Sequence, residues 1–203
     1  MDLIKINEKI SYIPGSKNPL SADIGIVEDE GQSWLFDVGC GDCRFDLNKE
    51  YNVVISHFHK DHMANIDKIK INKLYVSKET YKHLPQVVID KATIIIVDSL
   101  VEVGGLKIFP IPSSHARGSL ALEIDNEYTF LADATYSAFK HNKMIYNSQL
   151  LKEEIEALKA INSKYFLISH YDGLIRSKTN VIAELLEIYS KRQRNSSEIV
   201  IEM

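Results

Sequence analysis

Apolar and polar positions alternate with strand-like spacing through the first two thirds of the chain, and the spacing turns helical afterwards. "LIKI" and "KISYI" are short β-prone stretches near the start. "DIGIVEDEGQSWLFDVG" reads as a hairpin, two apolar runs around a Glu-Asp-Glu-Gly turn. "YNVVIS" is a buried strand that runs into a polar cluster, and "DHMANIDKI" reads as a helix opening at Asp61. "KLYVS", "TIIIV" and "LKIFPIP" follow as strands, with "KETYKHL" as a short helix. "SLALEIDNEYTFLAD" is a second hairpin, turning at Asp125-Asn126-Glu127. In "SQLLKEEIEALKAI", Leu151, Ile155 and Leu158 recur at helical spacing. "KYFLIS" is another buried strand. "TNVIAELLEIYSKR" is an amphipathic helix with Val181, Leu185, Ile188 and Tyr189 on one face and Thr179 or Asn180 as its cap. "SEIVIEM" closes as a strand. Many strands followed by strands mixed with helices predict two packed sheets with helices outside.

Composition adds limits. The chain of 203 residues is ample for one domain spanning 1–203, with no repeat or linker dividing it. A net charge of −4 argues against nucleic acid and anionic membrane surfaces as partners. No apolar run reaches the roughly 18 residues of a membrane span. "MDLIKINEKI" lacks the uninterrupted apolar core of a signal peptide, so a cytoplasmic location is expected. Cys40 and Cys43 form a lone C-G-D-C with no second pair to complete a structural zinc site, and read as reduced thiols in a loop.

The chemistry concentrates in "VVISHFHKDHM". His57, His59, Asp61 and His62 follow directly on an apolar strand, and three of the chain's seven histidines are among them. Residues two apart in an extended segment point the same way, so His57 and His59 can chelate one ion while Phe58 points into the protein. Asp61 and His62, at the turn into a helix, aim elsewhere. One segment can thus serve two ions about 3.5–4 Å apart. Nitrogen and carboxylate donors without thiolate suit Zn²⁺ best, with Fe or Mn as alternatives. Further candidates each stand at a strand end: His115 after "KIFPIPSS", Asp133 ending "YTFLAD" and His170 ending "YFLIS".

With these residues assembled, the sequence resembles the metallo-β-lactamase fold superfamily over nearly its whole length. Five motifs occur in order: "WLFDVGCG" with Asp37 and Gly39, "SHFHKDH", "PSSHARGS", "FLADA" and "LISH". The resemblance implies an α/β (α+β) fold, a four-layer αβ/βα sandwich of two mixed β-sheets with helices on the outer faces. It implies that His57, His59 and His115 hold one metal, Asp61, His62 and His170 a second, and that Asp133 bridges them. Asp37 would orient a ligand histidine by hydrogen bond. His83 and His141 match no motif; His83 reads as a surface residue, and His141 as a candidate for the mouth of the site.

The activity implied is metal-assisted hydrolysis. Two Zn²⁺ against Asp61, Asp133 and one hydroxide leave a positive core that favours a small-molecule substrate with an anionic or strongly polarised group. A metal-bound hydroxide would attack it, with Asp61 or Asp133 orienting the water or taking its proton. Departures from sub-patterns narrow the choice. The fourth motif carries Asp133 where class B1 β-lactamases have cysteine, and His59 stands where diiron flavoproteins have a carboxylate. Met63-Ala64-Asn65-Ile66 replaces the Gly-Gly common in glyoxalase II and lactonases, and 33 residues after His170 are too few for the glyoxalase II helical domain. A small ester, thioester, lactone or amide is the leading substrate class. The alternatives are a phosphodiester of a small nucleotide or RNA end, a mononuclear-iron persulfide dioxygenase-like oxidation, and a non-catalytic sensor. Arg117, Lys143, Tyr136, Tyr171 and Arg176 flank the motifs as candidates for recognising an anionic substrate.

Overall fold

Strand residues in this protein alternate between two apolar layers. The computed structural model describes residues 3–201. In Gln32–Phe36, Trp34 and Phe36 enter one layer and Leu35 the other; in the next strand, Glu50–Val54, Val54 and Val53 divide likewise. In Leu120–Ile124, Leu120 and Leu122 join that first layer, while Ala121 faces a third. This period of two is the pleat of a strand covered on both faces. The layer shared by Trp34, Phe36, Val54, Leu120, Leu122 and Phe130 lies between two sheets. The outer layer of the first sheet is closed by Met63, Ile66, Leu84 and Val88 from short helical turns and their flanks. That of the second is closed by Leu151, Ile155, Leu158, Val181 and Leu185 from two long helices, Ser148–Ala160 and Lys178–Ser190. The result is the expected four-layer sandwich.

The first sheet runs, in spatial order, Ile4–Lys5, Ile10–Ile13, Ile24–Asp29, Gln32–Phe36, Glu50–Val54, Lys70–Val76 and Thr93–Ile96. Its last four strands are parallel, with Leu35 opposite Val53 and Val53 opposite Leu74. The second runs Val101–Val103, Leu106–Pro110, Leu120–Ile124, Tyr128–Phe130, Tyr165–Leu167 and Ile175–Ser177. One pair in it is parallel, Tyr128–Phe130 with Tyr165–Leu167. Both sheets are therefore mixed. The sheets meet closely at Gly25, where an added Cβ would lie 2.6 Å from the Phe130 ring, itself stacked on Phe36 with centroids 5.1 Å apart. Both expected hairpins close through left-handed residues, Glu30-Gly31 and Asp125-Asn126, as turns of that hand require.

Several elements differ from the sequence pattern. The helix expected over 61–69 is a short turn, Lys60–Met63, followed by a 3₁₀ turn, Ile66–Lys68. The Asn65 amide N–H leaves the helical ladder for the Gly39 carbonyl, and its side chain donates to the Val38 carbonyl at 3.1 Å. The short helix of "KETYKHL" covers only Lys78–Tyr81, capped by Ser77. The last helix begins after Ser177, not at Thr179 or Asn180, and Ser177 gives it no side-chain cap. An unexpected hairpin, Ala138–Lys140 with Lys143–Asn147, pairs with Glu198–Ile201 in a three-stranded sheet. The final two residues of "SEIVIEM" lie outside the described residues. No helix among the described residues is long and apolar enough to cross a membrane.

Candidate metal centre

Parallel pairing decides where the polar residues gather. The C-terminal ends of Gln32–Phe36, Glu50–Val54, Tyr128–Phe130 and Tyr165–Leu167 carry Asp37, His57, Asp133 and His170. His115 comes from the loop between Leu106–Pro110 and Leu120–Ile124. The Leu120 N–H donates to the Ser56 carbonyl at 2.8 Å, which ties the two sheets together at this rim.

The seven predicted ligands come together as two groups. In one, His57, His59 and His115 bring ring nitrogens within 4.8 Å of one another; Asp61, His62, Asp133 and His170 do the same in the other. His59 Nδ1 is 3.0 Å from both His57 Nε2 and His115 Nε2. Asp133 Oδ2 faces both groups, 3.4 Å from His115 Nε2, 3.2 Å from His62 Nε2 and 3.8 Å from His170 Nε2. Asp61 Oδ2 is 3.0 Å from His170 Nε2 and 3.5 Å from His62 Nε2.

Behind the ligands lies a buried polar chain. Asp37, fully buried, accepts the Ser56 N–H and the Ser56 hydroxyl, each at 2.8 Å, and His62 Nδ1–H at 2.7 Å. With its proton committed to Asp37, the Ser56 oxygen accepts from His57 Nδ1–H at 2.9 Å. Asp37 thus fixes His62 directly and His57 through Ser56, and leaves Nε2 of both rings facing the site. The Ser137 carbonyl accepts from His115 Nδ1–H at 3.2 Å and orients that ring the same way. Asp23 accepts the backbone N–H of His170 on one oxygen and that of Gly15 on the other, both at 3.0 Å. It steadies His170 in a left-handed conformation, φ 61°. Ser56 and Asp23 are not legible as site residues in the sequence. Ser56's only signal is its position between an apolar run and the first ligand, and Asp23's partner lies 147 positions away.

Two buried atoms test the fit of a metal. Among the described residues Asp133 Oδ1 makes no hydrogen bond, and His62 Nε2 has only the Asp133 Oδ2 contact at 3.2 Å, without hydrogen-bond geometry, although both lie at a rim of converging nitrogens and carboxylates. Buried polar atoms normally find partners, and a cation between them is the partner these lack. Burial, then the neighbouring imidazoles, holds His57 far below the ordinary histidine range, as a neutral ligand. Burial also pulls on His62, but the Asp37 and Asp133 carboxylates outweigh it and raise the ring to about 10. Asp61 is pushed up by burial, and the His170 hydrogen bond and the His62 charge outweigh this, lowering it to about 2.

Other expected site residues are placed differently. Phe58 packs against the outer apolar layer of the first sheet, as expected, but stays half-buried, with exposed His83 stacked on it, centroids 4.5 Å apart. His141 sits exposed at the left-handed turn of the added hairpin and joins neither metal-ligand group. Arg176 is held by Glu184 and stacks over Tyr171 at 4.2 Å. The Tyr136 hydroxyl donates to the Ser169 carbonyl at 2.7 Å. Lys143 is exposed on the same hairpin as His141, whereas Arg117 lines a groove that reaches His115. Cys40 and Cys43 are free and half-buried, and neither joins the metal-ligand groups.

Sandwich, rim and ligand order together define a metallo-β-lactamase fold with a candidate two-metal centre, and His57 to His62 fits the superfamily's HxHxDH pattern. Solved structures share the fold. A flavodiiron protein from Giardia intestinalis superposes with a TM-score of 0.67 at 16% identity, over 94% of this chain and 60% of that one. An archaeal metallo-β-lactamase superfamily protein from Sulfolobus tokodaii gives 0.60 at 18% identity, over 94% and 90%. A metallo-β-lactamase from Hirschia baltica gives 0.63 at 15% identity, over 93% and 97%. The chain spans less than two thirds of the flavodiiron protein's length. No family sequence model and no curated protein sequence matches it.

Proposed function

We propose that the protein is a metal-dependent hydrolase of a small ester, thioester, lactone or amide. The observation that carries this reading is Asp133 Oδ2, which faces His115 on one side and His62 and His170 on the other. A carboxylate so shared, between a three-histidine group and a mixed histidine–aspartate group, is the frame of a two-metal site. His57, His59 and His115 would hold one ion, Asp61, His62 and His170 the other, and Asp133 both. When bound, two Zn²⁺, or Fe or Mn, would supply Lewis acidity and a hydroxide nucleophile at neutral pH. The chain's own residues then have distinct tasks. Asp37 holds a proton on His62 Nδ1, so Nε2 is the nitrogen that would bind a metal in exchange for its own proton. Asp61 is the more exposed of the two site carboxylates, 17% against 6% for Asp133. Asp61 or Asp133 would orient the water or shuttle its proton.

Two flavodiiron relatives of the fold keep an oxidoreductase reading in view. The nitrogen donor His59, where diiron flavoproteins of this fold have a carboxylate, favours hydrolysis. Metal analysis and a substrate panel separate the readings. About two zinc ions per chain with turnover of p-nitrophenyl acetate, a lactone or S-lactoylglutathione supports the hydrolase. Turnover of bis-p-nitrophenyl phosphate alone supports the phosphodiesterase, and one iron with sulfur oxidation the dioxygenase. Asp133→Ala is expected to lose the second metal and most activity; both metals and full turnover in that variant would refute the assignment.

A further inference from the structure

The candidate centre is flanked by two grooves of unlike charge. On the His115 side, a groove of about 360 Å³ runs from Phe58 and His115 under the Ala138–Asn147 hairpin. On the His170 side, a second of about 360 Å³ is lined by Tyr12, Lys17, Asp23, Tyr171 and Asp172. Each has the size of a small-molecule site. The first carries two cations, Arg117 and Lys140, against one carboxylate, Glu198. The second carries one lysine against two carboxylates.

Several neutral polar groups of the first groove are committed elsewhere. Ser113 Oγ donates to the Ala134 carbonyl at 2.7 Å, and Ser114 Oγ accepts the Asn147 N–H at 3.0 Å. Asn147 Oδ1 caps the Ser148–Ala160 helix. Arg117 and Lys140 are exposed, and among the described residues neither makes a hydrogen bond or ion pair with a carboxylate. Glu79, packed against Gly118 beside Arg117, bonds Lys82 at 2.7 Å and feels the Arg117 charge more weakly. Apolar wall is present as well. Phe58 stands edge-on to His59, with centroids 5.2 Å apart, and Ile145 and Leu150 line the far side.

From this asymmetry we propose that the groove on the His115 side seats the anionic end of the substrate. The substrate is then an organic acid whose acyl group lies over the centre, whose apolar body lies along Phe58, and whose carboxylate is held by Arg117 with help from Lys140. This rests on the hydrolase reading above. It adds the substrate's charge and its direction of binding: the acid end lies towards His115, and the other end towards the more acidic groove at His170.

The test separates binding from turnover. Metal-loaded protein is titrated with hippurate, which joins an aromatic ring to a carboxylate, and with neutral benzamide, and chromatography checks that neither amide is cleaved during the titration. Hippurate should bind wild type at least tenfold more tightly than benzamide. Arg117→Ala should weaken hippurate about tenfold, the scale of one charge-assisted hydrogen bond at an open site. Arg117→Lys should recover part of that loss, Lys140→Ala should weaken hippurate less, and metal content should stay at the wild-type value throughout. In the Arg117→Ala/Lys140→Ala variant, the preference in kcat/KM for the mono-p-nitrophenyl ester of glutaric acid over p-nitrophenyl acetate should collapse. Equal hippurate binding by wild type and the double variant, or none by wild type, overturns the proposal whatever the ester assay shows. Selective hippurate binding with no turnover of any ester, thioester, lactone or amide tested would uphold the anion groove and overturn the hydrolase reading instead.

Discussion

Replacing Asp37 by asparagine probes the centre without touching a ligand. Asp37 adopts φ 60°, a left-handed conformation that asparagine tolerates as well as aspartate does, so the backbone should hold. The hydrogen bonds cannot. The carboxylate accepts three of them, from the Ser56 N–H, the Ser56 hydroxyl and His62 Nδ1–H. An amide offers one acceptor oxygen. If that oxygen meets the Ser56 N–H, the amide NH₂ confronts His62 Nδ1, and the ring can answer only by carrying its proton on Nε2, the atom that faces Asp133. If the amide flips, its NH₂ confronts the Ser56 N–H, donor against donor, in a fully buried site. Either way a buried donor loses its acceptor, about 1–3 kcal/mol of folding stability. The first arrangement also blocks a ligand, and outer partners of this kind are worth about 10–100-fold in metal affinity. The assay is a competition titration against a chromophoric chelator, with metal counted per chain, beside urea unfolding of the metal-free protein. An Asp37→Asn variant that binds both equivalents within about threefold of wild type would refute the role given to Asp37.

Other expectations follow from the same structure. Asp23→Ala should release the backbone N–H groups of Gly15 and His170 and weaken the second metal more than the first, read by sequential metal titration; equal weakening of both would contradict it. Gly25→Ala should place a methyl against the Phe130 ring and cost about 1–3 kcal/mol in urea unfolding, with metal binding intact in the folded fraction. Glu154 is fully buried, among the described residues both its oxygens are unpaired, and burial raises its carboxyl well above 4.5. The folded protein therefore holds a proton there that the unfolded chain releases, and stability should fall as pH rises from about 4.5 towards the folded value, by at most about 1.4 kcal/mol per pH unit. Glu154→Leu should remove that fall and gain about 1–3 kcal/mol at pH 8 in denaturant titrations; a variant less stable than wild type at pH 8 would contradict this.

Much of the centre is local in the chain and was legible there. His57, His59, Asp61 and His62 lie within six positions of one strand end, and alternation or helical recurrence of apolar residues marked most long elements. The Asp125-Asn126 turn was visible because few residue types accept a left-handed backbone. What the sequence could not show depends on partners distant in the chain. The break after Met63 comes from Asn65 bonding back to Val38 and Gly39. The hairpin carrying Lys140 is stabilised by pairing with Glu198–Ile201, far beyond any local window. Asp23 bonds His170 across nearly the whole chain, and Ser56 matters only because folding puts Asp37 behind it. By itself the sequence determined the candidate ligands, four through residue type and short-range spacing and His115, Asp133 and His170 through their places at strand ends. The tertiary structure alone decided how they are held and which groove carries positive charge, because buried hydrogen bonds and surface charge depend on which strand ends meet at the rim.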